Sequence, residues 1–541
     1  MTLDVSVDEM NRALDDSREE EDPCLETVDV ERLTDVGNAR RLVRRFAGSI
    51  RYCPEVGWLT WDGSRWIADN RGRVREMAKA VAQDIMDEAH EAEARAQAFL
   101  DDGGKKGSEK WKELEAAMKR LMGWALASEG ASKQRAMCDL AQSDPQVVVE
   151  RGDFDTEPEL LNLRDCVVNL RTGERMEHSP KRLMMHRAEA AYARVPKGKT
   201  YRDVAPRFMD FLAKVTCGDI ELAAYLQRAV GVSMCGNGPK NKLFICHGMG
   251  ANGKSTFIGL ISRILGSYCV NIRVKALLET GGFDQIPVDI ARLAGARMCT
   301  MAEPSAGDQL ASGIVKELLG EAVMTARFMR KDPFTFTPCC SPWLSCNHKL
   351  IVRDNSDGTW RRMSLLAWGH RFEEKDQIEN FDGVLLRDER EGIFAWMLDG
   401  AMAYLAGGLQ PPASVTAAVA AYREEMDLLA EFLNEYTERG TTPEYVTAYR
   451  DAWEAFKEWA KDYGEDARKW NPKRFTRELS DRGIKRSASK ANGQPLVGIK
   501  LTRMANSGKP LPPVPGWMSE LPPPGEPPPV RSRHWTEGDD N

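Results

Sequence analysis

No two of the twelve cysteines in this 541-residue sequence stand in a C-x-x-C pair. The paired-thiolate knuckle of a zinc ribbon is therefore missing, and thiols scattered among apolar residues suit a reducing cytosol better than a disulfide framework. Long apolar runs are also missing, and none approaches the roughly 20 residues that cross a bilayer. Basic charge is not in excess. With 75 Lys and Arg against 82 Asp and Glu the net charge is −7. Any contact with a polyanion must then come from local patches or from the bore of an oligomer. The amino-terminal stretch lacks the basic-then-apolar order of a signal peptide, so a cytoplasmic location is expected. Residues 1–34 are rich in carboxylates and poor in apolar mass and read as an acidic disordered tail. Residues 506–541 are proline-rich and read as a second disordered tail.

What the chain does carry is the stretch CHGMGANGKSTF, Cys246–Phe257, which contains G-x-x-x-x-G-K-[ST] from Gly248 to Ser255. An apolar run, Lys242–Cys246, precedes it as a buried strand. Phe257–Leu265 follows with apolar residues at helical spacing. Strand, glycine-rich loop and helix are the context in which this motif binds a polyphosphate. Gly248, Gly250 and Gly253 permit a backbone that a Cβ would obstruct. The N–H groups of the loop, with Asn252, Lys254, Ser255 and Thr256, would then wrap ATP at a helix N-terminus. Lys254 is expected on the β- and γ-phosphates and Ser255 on Mg²⁺.

Three folded segments are expected. Residues 35–195 form an α+β domain, with a helix from Val36 and a hairpin over Gly57–Trp66 turning at Asp62-Gly63. The tryptophans of that hairpin could stack on DNA bases, but a small hydrophobic core is the better reading. A second hairpin over Leu160–Gly173 turns at Arg164-Asp165. Residues 196–405 hold the phosphate-loop core. In residues 406–505 the spacing predicts a helix over Val446–Ala460 with Tyr449, Trp453, Phe456 and Ala460 on one face, then a basic helix over Asn471–Gly483. A hairpin of Ile484–Ser487 and Leu496–Leu501 follows, joined through Asn492-Gly493. Helix, helix and two-stranded wing make a winged-helix module, in which Lys473, Arg474, Arg477, Lys485 and Arg486 would face phosphates.

A phosphate loop alone does not distinguish kinases, GTPases and motors, but its companions narrow the choice. Leu293–Glu303 is an apolar strand ending in a carboxylate, the place for an acid that holds Mg²⁺ through water and polarises the attacking water. Glu303 is the candidate, with Asp308 as the substitute. Met324–Thr337 reads as two short strands with Arg330, Lys331 and Asp332 at the tip, a basic point able to grip a sugar–phosphate backbone. Ser341–Asn347 is a strand ending in an amide that could orient water. Trp360-Arg361-Arg362 precedes another apolar strand, and one of these arginines could reach the phosphate of a neighbouring subunit.

Taken in order, these elements resemble the superfamily III helicases, above all the helicase half of phage and plasmid primases, akin to poxvirus primase-helicases. The resemblance runs over roughly residues 35–505. It implies an α/β, AAA+-like ATPase core with a parallel sheet, preceded by an α+β domain and followed by a winged helix. It further implies a homohexameric ring translocating on single-stranded or forked DNA, in the bacterial host cytoplasm if phage-encoded. Carried over by position, Gly248, Gly253, Lys254 and Ser255 are the Walker A loop. Glu303 is Walker B, Lys331 the DNA-gripping tip, Asn347 sensor 1 and Arg362 the finger, with Arg361 second. The sequence departs from the pattern in two places. A single acid is followed by Pro304 and Ser305, and Arg164-Asp165-Cys166 stands where Asn-Gly is usual. Relatives that synthesise primers carry an extra catalytic domain ahead of this arrangement. About 35 residues precede it here, too few for a polymerase fold. Motor activity with a separate primase or polymerase partner is therefore expected. Two other readings stand beside the helicase: a non-motor, ATP-dependent origin-binding or helicase-loading protein, and a small-molecule P-loop kinase, which the Trp-Arg-Arg and basic-hairpin elements disfavour.

Overall fold

The computed structural model describes residues 32–236, 242–279, 288–320, 323–327, 333–442, 444–462, 470–487 and 494–502. The expected carboxyl-terminal tail, the basic tip Arg330–Asp332, the turn Asn492-Gly493 and nearly all of the expected amino-terminal tail lie outside these residues.

The amino-terminal part opens with a helix, Asp35–Phe46, capped by Thr34, whose Oγ1 accepts the Gly37 N–H at 3.0 Å. An antiparallel meander follows: β1 Ile50–Cys53, β2 Gly57–Trp61 and β3 Trp66–Ala68. Asp62 closes the β2–β3 turn by accepting the N–H groups of Ser64 and Arg65 at 2.8 and 2.9 Å. Trp66 is fully buried, 5.7 Å from the Trp61 ring, and donates to the Pro180 carbonyl at 2.9 Å. That ring is core and is not free to stack on bases. Two long helices, Arg73–Asp101 and Glu109–Ser128, pack along each other. A second antiparallel sheet has β4 Leu160–Asn162, β5 Val167–Asn169 and β6 Arg175–Met176, with Arg164 and Asp165 in the loop between β4 and β5. Asp165 there accepts the Tyr192 N–H at 2.9 Å, so the departure from Asn-Gly has a local structural use.

The central strands are β7 Leu243–His247, β8 Cys269–Asn271 and β9 Met298–Ala302. A short antiparallel pair follows, β10 Met324–Ala326 with β11 Phe334–Phe336, and then β12 Ser341–Cys346 and β13 Met363–Ala367. β13, β7, β12, β9 and β8, in that spatial order, make one parallel five-stranded sheet. The pleat sends alternate side chains to opposite faces. Phe244, Cys246 and Trp343 pack on one face with the helices Ile220–Met234, Lys254–Leu265 and Arg390–Gly407. Leu243, Ile245 and Leu344 pack on the other with Ser312–Leu318 and Tyr422 of the helix Ala413–Glu425. Burial on both faces is what a parallel sheet requires. Its strand order changes direction at β7, and ligands of open α/β sheets bind beyond the carboxyl ends of strands at such a point.

The carboxyl-terminal part has helices Leu428–Tyr436, Tyr449–Asp462 and Pro472–Asp481, which share one buried cluster around Phe432, Phe456 and Phe475. Its strands are β14 Thr437–Arg439, β15 Val446–Thr447, β16 Lys485–Arg486, β17 Leu496–Val497 and β18 Ile499–Leu501. Two expectations need correction. Val446 and Thr447 do not begin a helix. They pair with β17, as β-branched residues favour, and the helix starts at Tyr449. Leu496–Leu501 is not one wing strand. Gly498 at φ +98° breaks it, so β17 joins β15 and β16 while β18 pairs with β14.

Candidate functional site

Beyond the carboxyl end of β7 the chain turns back sharply. A Cβ on Gly248 would lie 2.2 Å from Asn252 Nδ2 and 2.5 Å from the Trp368 carbonyl oxygen, so only glycine fits. Gly250, Ala251 and Gly253 have φ of +64°, +48° and +82°. The helix Lys254–Leu265 then starts with no side-chain cap on its first turn. Its first N–H groups carry the partial positive charge of the helix dipole and are free for an anion.

Lys254 is buried, and its ammonium has three oxygen partners: the Gly248 carbonyl at 2.7 Å, Asn252 Oδ1 at 2.8 Å and Asn347 Oδ1 at 3.2 Å. Burial pushes its pKa down from the usual lysine value. Asn252, also buried, donates through Nδ2 to the Trp368 carbonyl at 3.2 Å, which ties the loop to the end of β13. Ser255 is exposed and Thr256 half-buried. Beneath the loop, burial raises the Cys246 thiol to about 12 and the Cys346 thiol to about 11, so both stay neutral. His247 is pushed down by burial and then by the cations of Lys349 and Lys254.

Asn347 follows β12, and Glu303 follows β9. Because β12 lies between β7 and β9, with Cys346 opposite His247 and Ser345 opposite Ala302, three neighbouring strand ends bring Lys254, Asn347 and Glu303 to one edge. Glu303 sits at φ +57°, a conformation that costs an L residue roughly 1–2 kcal/mol. Its N–H donates to the Ser345 carbonyl at 3.0 Å, which holds it there. Its side chain is exposed. Asp308 is not equivalent: its Oδ2 accepts the Ser305 N–H at 2.8 Å and closes the following turn.

The structure does not bring Arg361 and Arg362 to this edge. They precede β13, whose first residue pairs with Leu243 at the opposite end of β7. Four residues of strand, roughly 13 Å, separate that end from His247 and the loop of the same chain. Arg362 Nη1 donates to the Gly358 carbonyl at 2.6 Å, while Arg361 is exposed. Of the expected DNA contacts, Lys473, Arg477 and Lys485 are exposed. Arg474 is occupied: it donates to the Arg353 carbonyl at 3.0 Å and lies 4.2 Å over the Trp470 ring, holding its helix against the core. Arg486 lies 3.4 Å over the Tyr449 ring. Sequence reasoning missed Trp368 and Phe372. Phe372 donates its N–H to the Ala251 carbonyl at 2.8 Å. Both act on the loop through backbone atoms, which leave no mark on residue type.

Residues 39–217 match a family described as D5 N terminal like, and residues 246–362 match a family of unknown function, DUF5906. A protein of Acanthamoeba polyphaga mimivirus named "Putative helicase L207/L206" is 26% identical over 268 residues, 46% of this chain and 28% of its own. "Putative helicase 022R" of Frog virus 3 (isolate Goorha) is 25% identical over 277 residues, 48% of this chain and 28% of its own. The match thus spans under a third of the length of these curated relatives. Among solved structures, the apo C-terminal region of NrS-1 aligns over 69% of this chain and 91% of that one, at 13% identity and a TM-score of 0.41. The chain is therefore similar in its amino-terminal part to D5 N terminal like proteins and, over nearly half its length, to viral proteins named for helicase activity.

Proposed function

We propose that this chain is an ATP-dependent DNA helicase of phage or plasmid replication, working as a homohexameric AAA+-like ring of superfamily III on single-stranded and forked DNA. One observation carries the reading: Lys254 bonds Asn347 at 3.2 Å, and Asn347 and the exposed Glu303 follow adjacent strands of a parallel sheet, beside the glycine-rich loop that follows β7. Viral relatives named for helicase activity support the choice of a motor over a small-molecule kinase. The exposed cations of the helix Pro472–Asp481, Lys473 and Arg477, together with Arg330 and Lys331, which lie outside the described residues, are the proposed DNA contacts. The carboxyl-terminal helices and strands are the proposed winged helix.

In this reading the loop N–H groups and the helix start hold the β- and γ-phosphates. Lys254 exchanges its three oxygen partners for phosphate oxygens. Its departure frees the Asn347 amide to orient water, and Glu303 polarises that water. Few, hard and exposed oxygen donors suit Mg²⁺, which Ser255 and Glu303 would hold together with the phosphates and which supplies charge neutralisation when bound. An arginine of the turn before β13 completes the site of the neighbouring subunit.

Strand displacement on a forked substrate, measured beside DNA-stimulated ATPase and particle mass, tests the reading. ATP-dependent unwinding by a six-fold ring is expected. Hydrolysis and DNA binding without unwinding would replace the motor with the origin-binding or helicase-loading alternative.

The strain at Glu303 gives a sharper test of that residue. Glu303→Gln should bind ATP normally and hydrolyse it slowly, since an amide does not polarise water. Glu303→Gly should be equally slow yet more stable, by about 0.5–1 kcal/mol, because glycine adopts the left-handed conformation without the Cβ penalty. Thermal melts and turnover measured on both variants decide. A fully active Glu303→Gln would move the catalytic acid elsewhere.

A further inference from the structure

The helix Pro472–Asp481, which carries the exposed Lys473 and Arg477, is tied at both ends to one short segment of the core. At its start Arg474 donates through Nη2 to the Arg353 carbonyl at 3.0 Å. Just past its end Arg482 donates through Nη2 to both carboxylate oxygens of Asp427, at 2.7 and 2.8 Å, and through Nη1 to Glu478 of the same helix at 3.1 Å. Asp427, which caps the helix Leu428–Tyr436, passes the connection on: its Oδ2 accepts the Asn355 amide at 3.1 Å. Arg423 holds Asn355 from the other side, donating to its Oδ1 at 2.9 Å and to its carbonyl at 2.8 Å, and meets Asp357 at 2.8 Å. The side chains of Arg482 and Asp427 are 16% and 18% exposed, so salt screens this pair less than it screens a surface pair. Arg353, Asp354 and Asn355 lead directly into the turn of Arg361 and Arg362. There the Asp354 carboxylate accepts Thr359 Oγ1 at 2.7 Å, and the Asp357 carbonyl accepts the Arg361 N–H at 2.9 Å.

We infer that Arg474, Arg482, Asp427 and Asn355 are positioning residues that couple DNA on the carboxyl-terminal helix to the arginine turn, so that a bound strand shifts the arginine offered to the neighbouring nucleotide. The proposal rests on the helicase reading and adds the route by which DNA sets the rate of hydrolysis. The ties differ from a general anchor in where they land. Both ends of the helix reach the same consecutive residues, Arg353 to Asn355, immediately before the turn. A helix held at one end pivots, whereas one held at both ends moves with its support. The links between helix and support are charge-assisted bonds, which are short and directional, so they transmit displacement. The proposed DNA contacts sit at one of the ties: Lys473 directly precedes Arg474, and Arg477 lies about one helical turn further on. The turn itself answers as a unit, because Asp354 braces it internally through Lys316 and Thr359.

The test measures ATP hydrolysis by the full chain with and without saturating single-stranded DNA, beside DNA affinity by fluorescence anisotropy and thermal melts. Saturation separates coupling from affinity. The native protein should be stimulated at least ~5-fold, the lower end of coupling between sites. Asn355→Leu cuts the link to Asp427, and Arg474→Met cuts the link to Arg353 while keeping an unbranched stem over Trp470. Each should keep basal hydrolysis, since Asp354 still braces the turn, and each should lose most of the stimulation. The double variant should be stimulated less than ~2-fold. Arg474→Lys, which keeps a donor, should recover part of what Arg474→Met loses. The two ties are cut independently, so the test stays decisive where one variant fails to fold. Full stimulation of the variants would overturn the coupling and leave the helicase reading standing. Basal and stimulated hydrolysis falling in proportion would also overturn it, because that is what mere structural support predicts. So would a native protein that hydrolyses ATP without responding to DNA. No hydrolysis by the native protein would overturn the motor reading, and the coupling with it.

Discussion

Lys254→Ala should lose ATP hydrolysis by at least roughly 10²–10³-fold, the scale on which a pre-organised charge aimed at a transition state acts. It should lose little of its fold. The ammonium is buried but packs against oxygen atoms, not apolar ones: Gly248, Asn252 and Asn347 receive all three of its bonds. Its removal leaves Asn252 Oδ1 short of a donor, at about 1 kcal/mol, while the Gly248 carbonyl still accepts the Gly250 N–H at 3.0 Å. A modest fall in melting temperature is therefore expected beside a near-complete loss of turnover. If the loop holds a polyphosphate, the same variant should also bind ATP weakly, because it lacks the charge that Lys254 would offer the phosphates. Turnover within a few-fold of the native rate would remove this loop from the mechanism.

Much of this site was legible in the sequence because its parts sit where local patterns end. Strands β7, β9 and β12 are apolar runs, and the residue after each run, or the loop that follows, is a candidate site residue or segment: the Gly248–Ser255 loop, Glu303 and Asn347. Apolar periodicity places strand ends, and a polar residue at a strand end in a parallel sheet points to a ligand site. What the sequence hid is what tertiary packing supplies. Phe372 lies over a hundred residues after the loop, and ordinary core aromatics look the same on paper. The left-handed backbone of Glu303 has no signature, because glutamate is not a residue that favours it. In the sequence Arg474 is one of several cations of a basic helix expected to face phosphates, but a carbonyl of the core and the ring of Trp470 claim it. Gly498 read as an ordinary strand residue, while its φ of +98° divides that strand between two sheets.

The turn before β13 supplies the other large effect, and it tests whether the site is shared between subunits. Asp354 holds this turn firmly. It accepts from Lys316 at 2.5 Å and from Thr359 Oγ1 at 2.7 Å, and these bonds keep its carboxyl far below the usual range despite partial burial. Lys242 donates to the Arg361 carbonyl at 2.6 Å, which fixes the backbone from the β7 side. The turn is thus a rigid platform at the end of the sheet remote from its own phosphate loop, and in a ring such a platform can serve only a neighbour's nucleotide. Of its two arginines, Arg362 is committed to the Gly358 carbonyl, whereas Arg361 is exposed and can extend without breaking a bond. Loss of the reaching arginine should slow hydrolysis by roughly 10³–10⁵-fold while ATP binding persists, as for arginines that act on transition-state charge. Each of Arg361→Ala and Arg362→Ala should therefore be mixed with the Lys254→Ala protein. In mixed rings some interfaces pair an intact loop with an intact arginine turn, so the variant that removes the reaching side chain should regain hydrolysis on mixing, although neither parent protein has any. Exposure favours Arg361 for that result. Arg362→Ala should instead show a lowered melting temperature, from the loss of its bond to Gly358, if its role is to shape the turn. A cis-acting arginine predicts no recovery from any mixture, since each chain then lacks one part of its own site. Absence of recovery with both arginine variants, in a protein that remains monomeric with ATP and DNA, would sink the ring helicase and leave the loading protein as the reading that fits.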